Sequence, residues 1–156
     1  DITYIKVGNG FMYLSLITDM YSRRIVGYHF SERMRASDCC KALDMAFKEL
    51  PKGVKPVHHS DRGGQYCSHL YVGKLRDKGM KISMTEVNHC AENAMAERVN
   101  GILKQEYFLR GKFNDEGSAR KTVRQAINLY NSRRPHQSLQ YKTPNDVHFK
   151  KLEIAA

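Results

Sequence analysis

"VHHSDRGGQY", residues 57–66, puts two histidines, one acid and a pair of glycines directly after a short apolar start. A short run bounded by turn formers reads as a strand. Asp61 then stands where the strand stops, at the rim of a sheet. Gly63 and Gly64 follow it and, having no side chains, let a large ligand or another backbone come close. An acid at a strand end is also an ordinary turn former. The two readings separate on whether other carboxylates are placed to join Asp61.

Upstream, "ITYIKV" (2–7) alternates in strand fashion, Gly8-Asn9-Gly10 is a hairpin signal, and "FMYLSLITD" (11–19) is a longer, mostly apolar run. "RRIVGYHF" (23–30) follows a short turn at 20–22 and completes an antiparallel meander. "ASDCCKALDMAFKEL" (36–50) sets Cys40, Leu43, Phe47 and Leu50 on one face at helical spacing, with Pro51 behind it. "PVHHSD" (56–61) is the fourth strand, "HLYVGKLRDKG" (69–79) a helix closed by Gly79, and "KISMTE" (81–86) the fifth strand. Beyond residue 93 the pattern is helical only. "NAMAERVNGILKQEYFL" and "SARKTVRQAINLYNSRR" are separated by a break at 111–117, and Pro135 and Pro144 mark an irregular tail. The order predicts an α/β fold: a mixed five-stranded sheet, three antiparallel strands then two parallel, flanked by helices. That order fits a ribonuclease H-like fold.

At 156 residues, 41% hydrophobic and 27% charged, the chain suits a single globular domain over residues 1–156. No apolar run approaches the roughly 20 residues of a membrane helix. No secretory signal opens the chain, and the absence of an initiator Met points to a piece of a longer protein. Cys39, Cys40, Cys67 and Cys90 form no C-x-x-C pair, which suits free thiols in a reduced, cytoplasmic compartment. The net charge of +10 is unevenly spread: residues 1–97 hold 14 basic and 11 acidic side chains, residues 98–142 hold 10 and 3. A basic half behind a balanced one points to a polyanion such as nucleic acid, or to a solvated basic face with no partner.

Asp1 opens the first strand, Asp61 closes the fourth, and Glu97 stands at the start of the first terminal helix, with 35 residues between Asp61 and Glu97. Chemistry on a phosphodiester gives three such acids a purpose. Two Mg²⁺ ions activate the attacking oxygen and stabilise the leaving one, and Mg²⁺ takes hard oxygen ligands. Asp19 is a rival to Asp1 across the hairpin, but it precedes a tight turn that an acid would serve.

The strings "DITYI", "HSDRGGQY", "ENAMAERVNGILKQE" and "YNSRRPHQSL…TP" resemble the catalytic core of bacterial insertion-sequence DDE transposases of the retroviral-integrase superfamily. The resemblance runs from Asp1 to about Pro144 and includes the 35-residue gap. It implies a Mg²⁺-dependent polynucleotidyl transferase, with Mn²⁺ as a substitute and two ions held by Asp1, Asp61 and Glu97. It further implies cleavage at transposon ends and strand transfer of 3′-hydroxyl ends into target DNA. The active complex would be a homo-oligomer near the bacterial nucleoid, with end recognition in an upstream region. Glu92 stands where the family usually has Asp, Gly64 where Ser is usual, and Arg98 where Ser follows the Glu. A nuclease or resolvase of the same fold and a non-catalytic DNA-binding remnant are the alternatives.

Lys104 follows Glu97 by two helical turns, with Gly101 between them, so the lysine can reach DNA from the same face, or be a solvated surface cation. His59 steadies the strand end near the site or is simply a packed, hydrogen-bonded histidine. Within "YNSRRPH" (130–136), Arg133, Arg134 and His136 would touch phosphate by resemblance. A helix end and tail docked on the core explains the same string.

Overall fold

The computed structural model describes residues 1–85 and 93–155, with side chains described up to residue 150. Strands β1 (Ile2–Val7) and β2 (Gly10–Thr18) form a hairpin in which Ile2 faces Ser15 and Val7 faces Gly10. Gly8 turns it with φ +54°, a left-handed conformation that suits glycine. Strand β3 (Ile25–Ser31) pairs antiparallel with β2 on its far side. Alternation then decides the two faces. Ile5, Met12, Leu14 and Leu16 are buried on one of them. Helices α3 (Ala94–Glu106) and α4 (Glu116–Arg133) cover that face with Val99, Leu103, Val123, Ile127 and Tyr130.

The opposite face meets helices α1 (Ala36–Glu49) and α2 (His69–Asp77), where Cys39, Leu43, Tyr66, Tyr71 and Leu75 form a second core. Each fully buried leucine in these cores stabilises the fold by about 1.5–3 kcal/mol. Strands β4 (Val57–Ser60) and β5 (Lys81–Met84) are parallel, joined through α2, with Val57 opposite Lys81 and Ser60 opposite Met84. Ser68 caps α2, its side chain accepting from the Tyr71 amide. The described thiols, Cys39, Cys40 and Cys67, are free. No described helix is long and apolar enough to cross a membrane.

Three features depart from the sequence pattern. First, the hydrogen-bonded ladder divides in two: β3-β2-β1-β6 and β4-β5, where β6 is Lys112–Phe113. The meander and the parallel pair are as expected, but β6 runs parallel to Lys6 and Val7 and occupies that half of the β1 edge. A cavity of 340 Å³ adjoins the other half, lined by Asp1 and Ile17 on one side and His58 and Ser60 on the other. Second, β6 lies in the break between the two terminal helices, where the sequence pattern shows no strand. Third, the tail is not irregular to its end, since α5 spans Pro144–Ala155. The Thr143 amide and hydroxyl donate to Asp146 Oδ2 at 3.0 and 2.7 Å, and the Asp146 amide donates back to Thr143 Oγ1 at 3.2 Å. This reciprocal cap, with proline at the first helical position, starts the helix.

Helix α1 crosses β3 directly over Gly27. A Cβ there would collide with the Ala42 carbonyl oxygen and stand 3.0 Å from Ala46 Cβ. Gly27→Ala should therefore cost about 1–3 kcal/mol by overpacking, read as a lower thermal midpoint by circular dichroism. An unchanged midpoint would mean that α1 is not held this close.

Candidate active site

Asp1 is fixed on three sides. Its backbone nitrogen donates to the Leu16 carbonyl at 3.0 Å and its carbonyl accepts from the Leu16 amide at 2.8 Å, extending the β1–β2 ladder. Its Oδ1 accepts from the Ile2 amide at 2.8 Å, and its Oδ2 accepts from Asn100 Nδ2 at 2.7 Å. Asn100 lies on α3, is 7% exposed, and its Oδ1 has no partner. Asparagine is a poor residue for a helix interior, so a buried one there has a tertiary purpose. It ties the helix that carries Glu97 and Lys104 to the start of β1.

Asp61 follows the last residue of β4. Its Oδ1 accepts from the Gly63 amide at 2.9 Å, closing an Asx turn. A Cβ on Gly63 would come within 2.9 Å of that same oxygen, so glycine lets the turn fold back on the carboxylate. A Cβ on Gly64 would meet nothing within 4 Å, so the usual serine would fit there. The Thr85 amide donates to the Ser60 carbonyl and Arg62 Nε to the Thr85 carbonyl, which hold the strand end against β5. Asp61 lies within electrostatic reach of the Asp1 backbone amine. Burial lowers the Asp1 amine to about 6, and the Asp61 charge opposes that shift.

Glu97 sits exposed in the first turn of α3, one turn before Asn100, where the helix dipole favours a carboxylate. Among the described residues, no three His, Cys, Asp or Glu side chains are gathered closely enough to hold a metal ion. The structure thus joins α3 to Asp1 through Asn100 and leaves Glu97 exposed in the first turn of that helix. Glu92 lies outside the described residues.

Lys104 is half-buried two turns after Glu97, and burial lowers its pKa. His59 spans β4 to β5, its Nδ1 3.0 Å from Ser83 Oγ, while its Nε2 is buried without a partner. Asp19 serves its turn: it accepts from the Ser22 hydroxyl at 2.6 Å and the Ser22 amide at 3.1 Å. Burial would raise its carboxyl, but hydrogen bonds from His148, Ser22 and Tyr21 outweigh this and hold it below the usual carboxylate range.

The string at 130–136 is largely turned inward. Tyr130 donates to the Arg23 carbonyl at 3.0 Å, and Asn131 brackets Ile25 by accepting from its amide and donating to its carbonyl. Arg134 binds both carboxylate oxygens of Glu106 at 2.7 Å. His136 is 8% exposed and stacks edge-on against Tyr130. Arg133 is the arginine of the pair that stays exposed. The residue that the spacing pattern passed over is Asn100. Its signal was a polar residue midway between Glu97 and Lys104, beside the glycine already noticed there.

Burial holds two histidines well below their ordinary value of 6.5. His58 falls to about 4 by desolvation and nearby positive charge, and His136 to about 4 by desolvation and then Arg134. The unfolded chain therefore binds more protons between about pH 6.5 and 4. Stability should fall as the pH drops through that window, by at most about 1.4 kcal/mol per pH unit for each histidine. His58→Gln and His136→Gln should each flatten the fall in thermal midpoint from pH 7 to 4.5. Unchanged slopes would assign the acid sensitivity to other groups.

An integrase core domain model matches residues 1–90, and a second integrase core domain model matches residues 78–144. An uncharacterized 31 kDa protein of insertion element IS600 from Shigella sonnei is 36% identical over 157 aligned positions, covering 100% of the chain and 58% of that protein. The putative transposase InsK for insertion sequence element IS150 from Escherichia coli K12 is 35% identical, covering 92% of the chain and 51% of that protein. The chain thus spans about half the length of the curated relatives it matches. Among solved structures, the simian T-cell lymphotropic virus intasome with PP2A regulatory subunit B56 gamma aligns with TM-score 0.79 at 21% identity, over 95% of this chain and 52% of that one. The HTLV-2 integrase catalytic core domain in complex with magnesium aligns with TM-score 0.73 at 18% identity, over 95% of this chain and 92% of that one. At these identities the solved structures speak to the fold, which is that of integrase catalytic cores.

Proposed function

The chain belongs to the integrase core domain family, and from that premise we propose that it is the catalytic core of a bacterial DNA transposase, a polynucleotidyl transferase. The observation that carries this reading is the bond from Asn100 on α3 to the Asp1 carboxylate at the head of β1, 2.7 Å long, which ties the helix bearing Glu97 to the first acid. Carboxylates are hard oxygen donors, so Asp1 and Asp61 fit Mg²⁺, with Glu97 as the third and Mn²⁺ as a substitute. Two ions bound there would supply activation of the attacking oxygen and neutralisation of the leaving one. The Asx turn at Gly63 fixes one Asp61 oxygen, and Asn100 fixes one Asp1 oxygen. Each carboxylate therefore keeps an oxygen oriented rather than free to rotate.

The reaction would run in two displacements. Water attacks the phosphodiester at a transposon end and leaves a 3′-hydroxyl. That hydroxyl then attacks target DNA, so one phosphodiester replaces another. No nucleotide cofactor and no covalent protein–DNA intermediate is needed. Lys104 would take a phosphate near the scissile bond, and Arg133 a more distant one. The magnesium and the trimeric and dimeric forms named for the HTLV-2 core support divalent-metal use and a homo-oligomeric active complex. The bacterial relatives support action on DNA in the bacterial cytoplasm.

Asp61→Asn should abolish Mg²⁺-dependent cleavage and strand transfer while leaving the fold intact, because the amide Oδ1 still accepts from Gly63 but the charge that holds a hard cation is gone. The measurement is product formation from a labelled transposon end with Mg²⁺, with EDTA, and with the variant, beside circular dichroism. Parent-level cleavage by the variant would overturn the reading.

The isolated chain should bind duplex DNA through phosphates and without sequence preference, at a Kd of roughly 10⁻⁴–10⁻⁶ M that weakens steeply with salt. Lys104→Ala should reduce the slope of log Kd against log salt by about one unit, equally across sequences. A sequence-dependent loss would instead make Lys104 a base-reading residue.

A further inference from the structure

We propose that the uncovered half of the large sheet, beside the Asp61 turn, is a stacking platform for unpaired DNA bases. Tyr4, Tyr13 and Phe11 would supply the ring faces, and Lys6 and Lys112 would hold the backbone. The inference rests on the polynucleotidyl transferase reading above and names how that enzyme would hold its substrate.

Register sets these five side chains on one face. Tyr4 lies opposite Tyr13, and Lys6 opposite both Phe11 on β2 and Lys112 on β6. Thr3, Ile5 and Met12, the alternating residues, are buried on the other face, so this one points outward. Helix α1 covers only the half of the face around Ile2 and Ile17. Tyr4 is consequently 50% exposed and Phe11 57% exposed. The rings lie edge to face, Tyr4 to Phe11 at 6.3 Å and Tyr4 to Tyr13 at 5.4 Å, which presents faces at different angles rather than one closed stack.

Two further observations select the occupant. Lys6 and Lys112 are directly opposed like charges, and among the described residues neither is in an ion pair. Opposed like charges on adjacent strands are unfavourable, and a phosphate between them removes the penalty. The platform also connects to the candidate active site. Tyr4 Oη approaches Met34 Sδ at 3.8 Å, and Gln65, in the turn after Asp61, donates to the Met34 carbonyl at 3.2 Å. Exposed Arg33 and Arg35 flank Met34, against one exposed acid, Glu32. Aromatic rings among cations on an open sheet are how proteins hold unpaired bases, and bases inside a duplex cannot reach such rings. The substrate class is therefore DNA with an unpaired segment next to the phosphodiester being cut or joined.

The test compares the parent chain with Tyr4→Leu, Phe11→Leu and Lys6→Gln. Binding to a labelled 20-nucleotide oligo-dT and to a duplex of equal length is measured by fluorescence anisotropy. Each leucine variant should lose about tenfold in affinity for oligo-dT and less than twofold for the duplex. Lys6→Gln should lower the salt slope for oligo-dT by about 0.7. The chain has no tryptophan, so quenching of tyrosine emission by oligo-dT should be present in the parent and weaker in Tyr4→Leu. Leucine variants that melt as the parent does yet bind oligo-dT equally well would overturn the proposal. So would equal losses for oligo-dT and duplex, or sedimentation showing that Tyr4→Leu instead breaks a dimer of this chain. Binding is measured in EDTA, where no cleavage occurs, so loss of the catalytic reading would appear in Mg²⁺-dependent cleavage alone and loss of the platform in binding alone.

Discussion

Asn100 donates to Asp1 across 2.7 Å, and through that bond the helix bearing Glu97 is referenced to the strand bearing the first acid. Without it, the first turns of α3 would rest on the apolar contacts of Val99, Ile102 and Leu103 beneath them, and apolar contacts fix depth better than rotation. A directional bond to a charged oxygen fixes rotation, and a charge-assisted hydrogen bond is stronger than a neutral one. Asn100 is buried, and its bond to Asp1 satisfies the amide nitrogen while its Oδ1 has no partner. The dependence runs both ways, since without Asn100 the Asp1 carboxylate would be held by the Ile2 amide alone.

The far end of α3 is secured separately. Glu106, its last residue, holds Arg134 at the end of α4, and α4 in turn grips β3 through Asn131 on Ile25. Sheet, α4 and α3 therefore form a closed circuit of polar contacts around the larger core. An exposed pair such as Arg134 with Glu106 contributes little to stability by itself. Its bidentate geometry serves alignment instead, as it fixes the angle between two helices whose apolar faces would tolerate several.

Strand periodicity, helix faces and the order of the three acids could be read directly from the residues, because each is local or depends on simple spacing. "ITYIKV" became β1 at the same bounds. The two-residue β6 has too few positions for any period to register. Thr143-Pro144-Asn145-Asp146 does hold a helix-start signal, and the proline was read as a breaker when it was the first helical residue. The 130–136 string posed a different difficulty. Its cations could serve phosphate or protein, and the partners that occupy Arg134 and Asn131 lie 28 and 106 residues away. Nothing in spacing along the chain reveals such pairings. The third carboxylate had the same limit: sequence gave Glu97 its place on a helix but not its distance from the other two.

The acids and the basic surplus pose one electrostatic problem with a common solution. On the proposed reading, Asp1, Asp61 and Glu97 would repel an approaching phosphate backbone unless cations, bound metal ions included, offset their charge. Among the ten basic residues of 98–142, Arg120 and Arg134 are engaged with Glu116 and Glu106, so they do not serve this purpose. Screening sorts the remainder, because at physiological salt a surface charge is felt over only about 8 Å. Lys104, two helical turns after Glu97, is half-buried and so is screened less than a fully exposed cation. Desolvation lowers its pKa and so makes a bare ammonium there costly until an anion arrives. A half-buried lysine of this kind gains more from a phosphate than a fully hydrated one does.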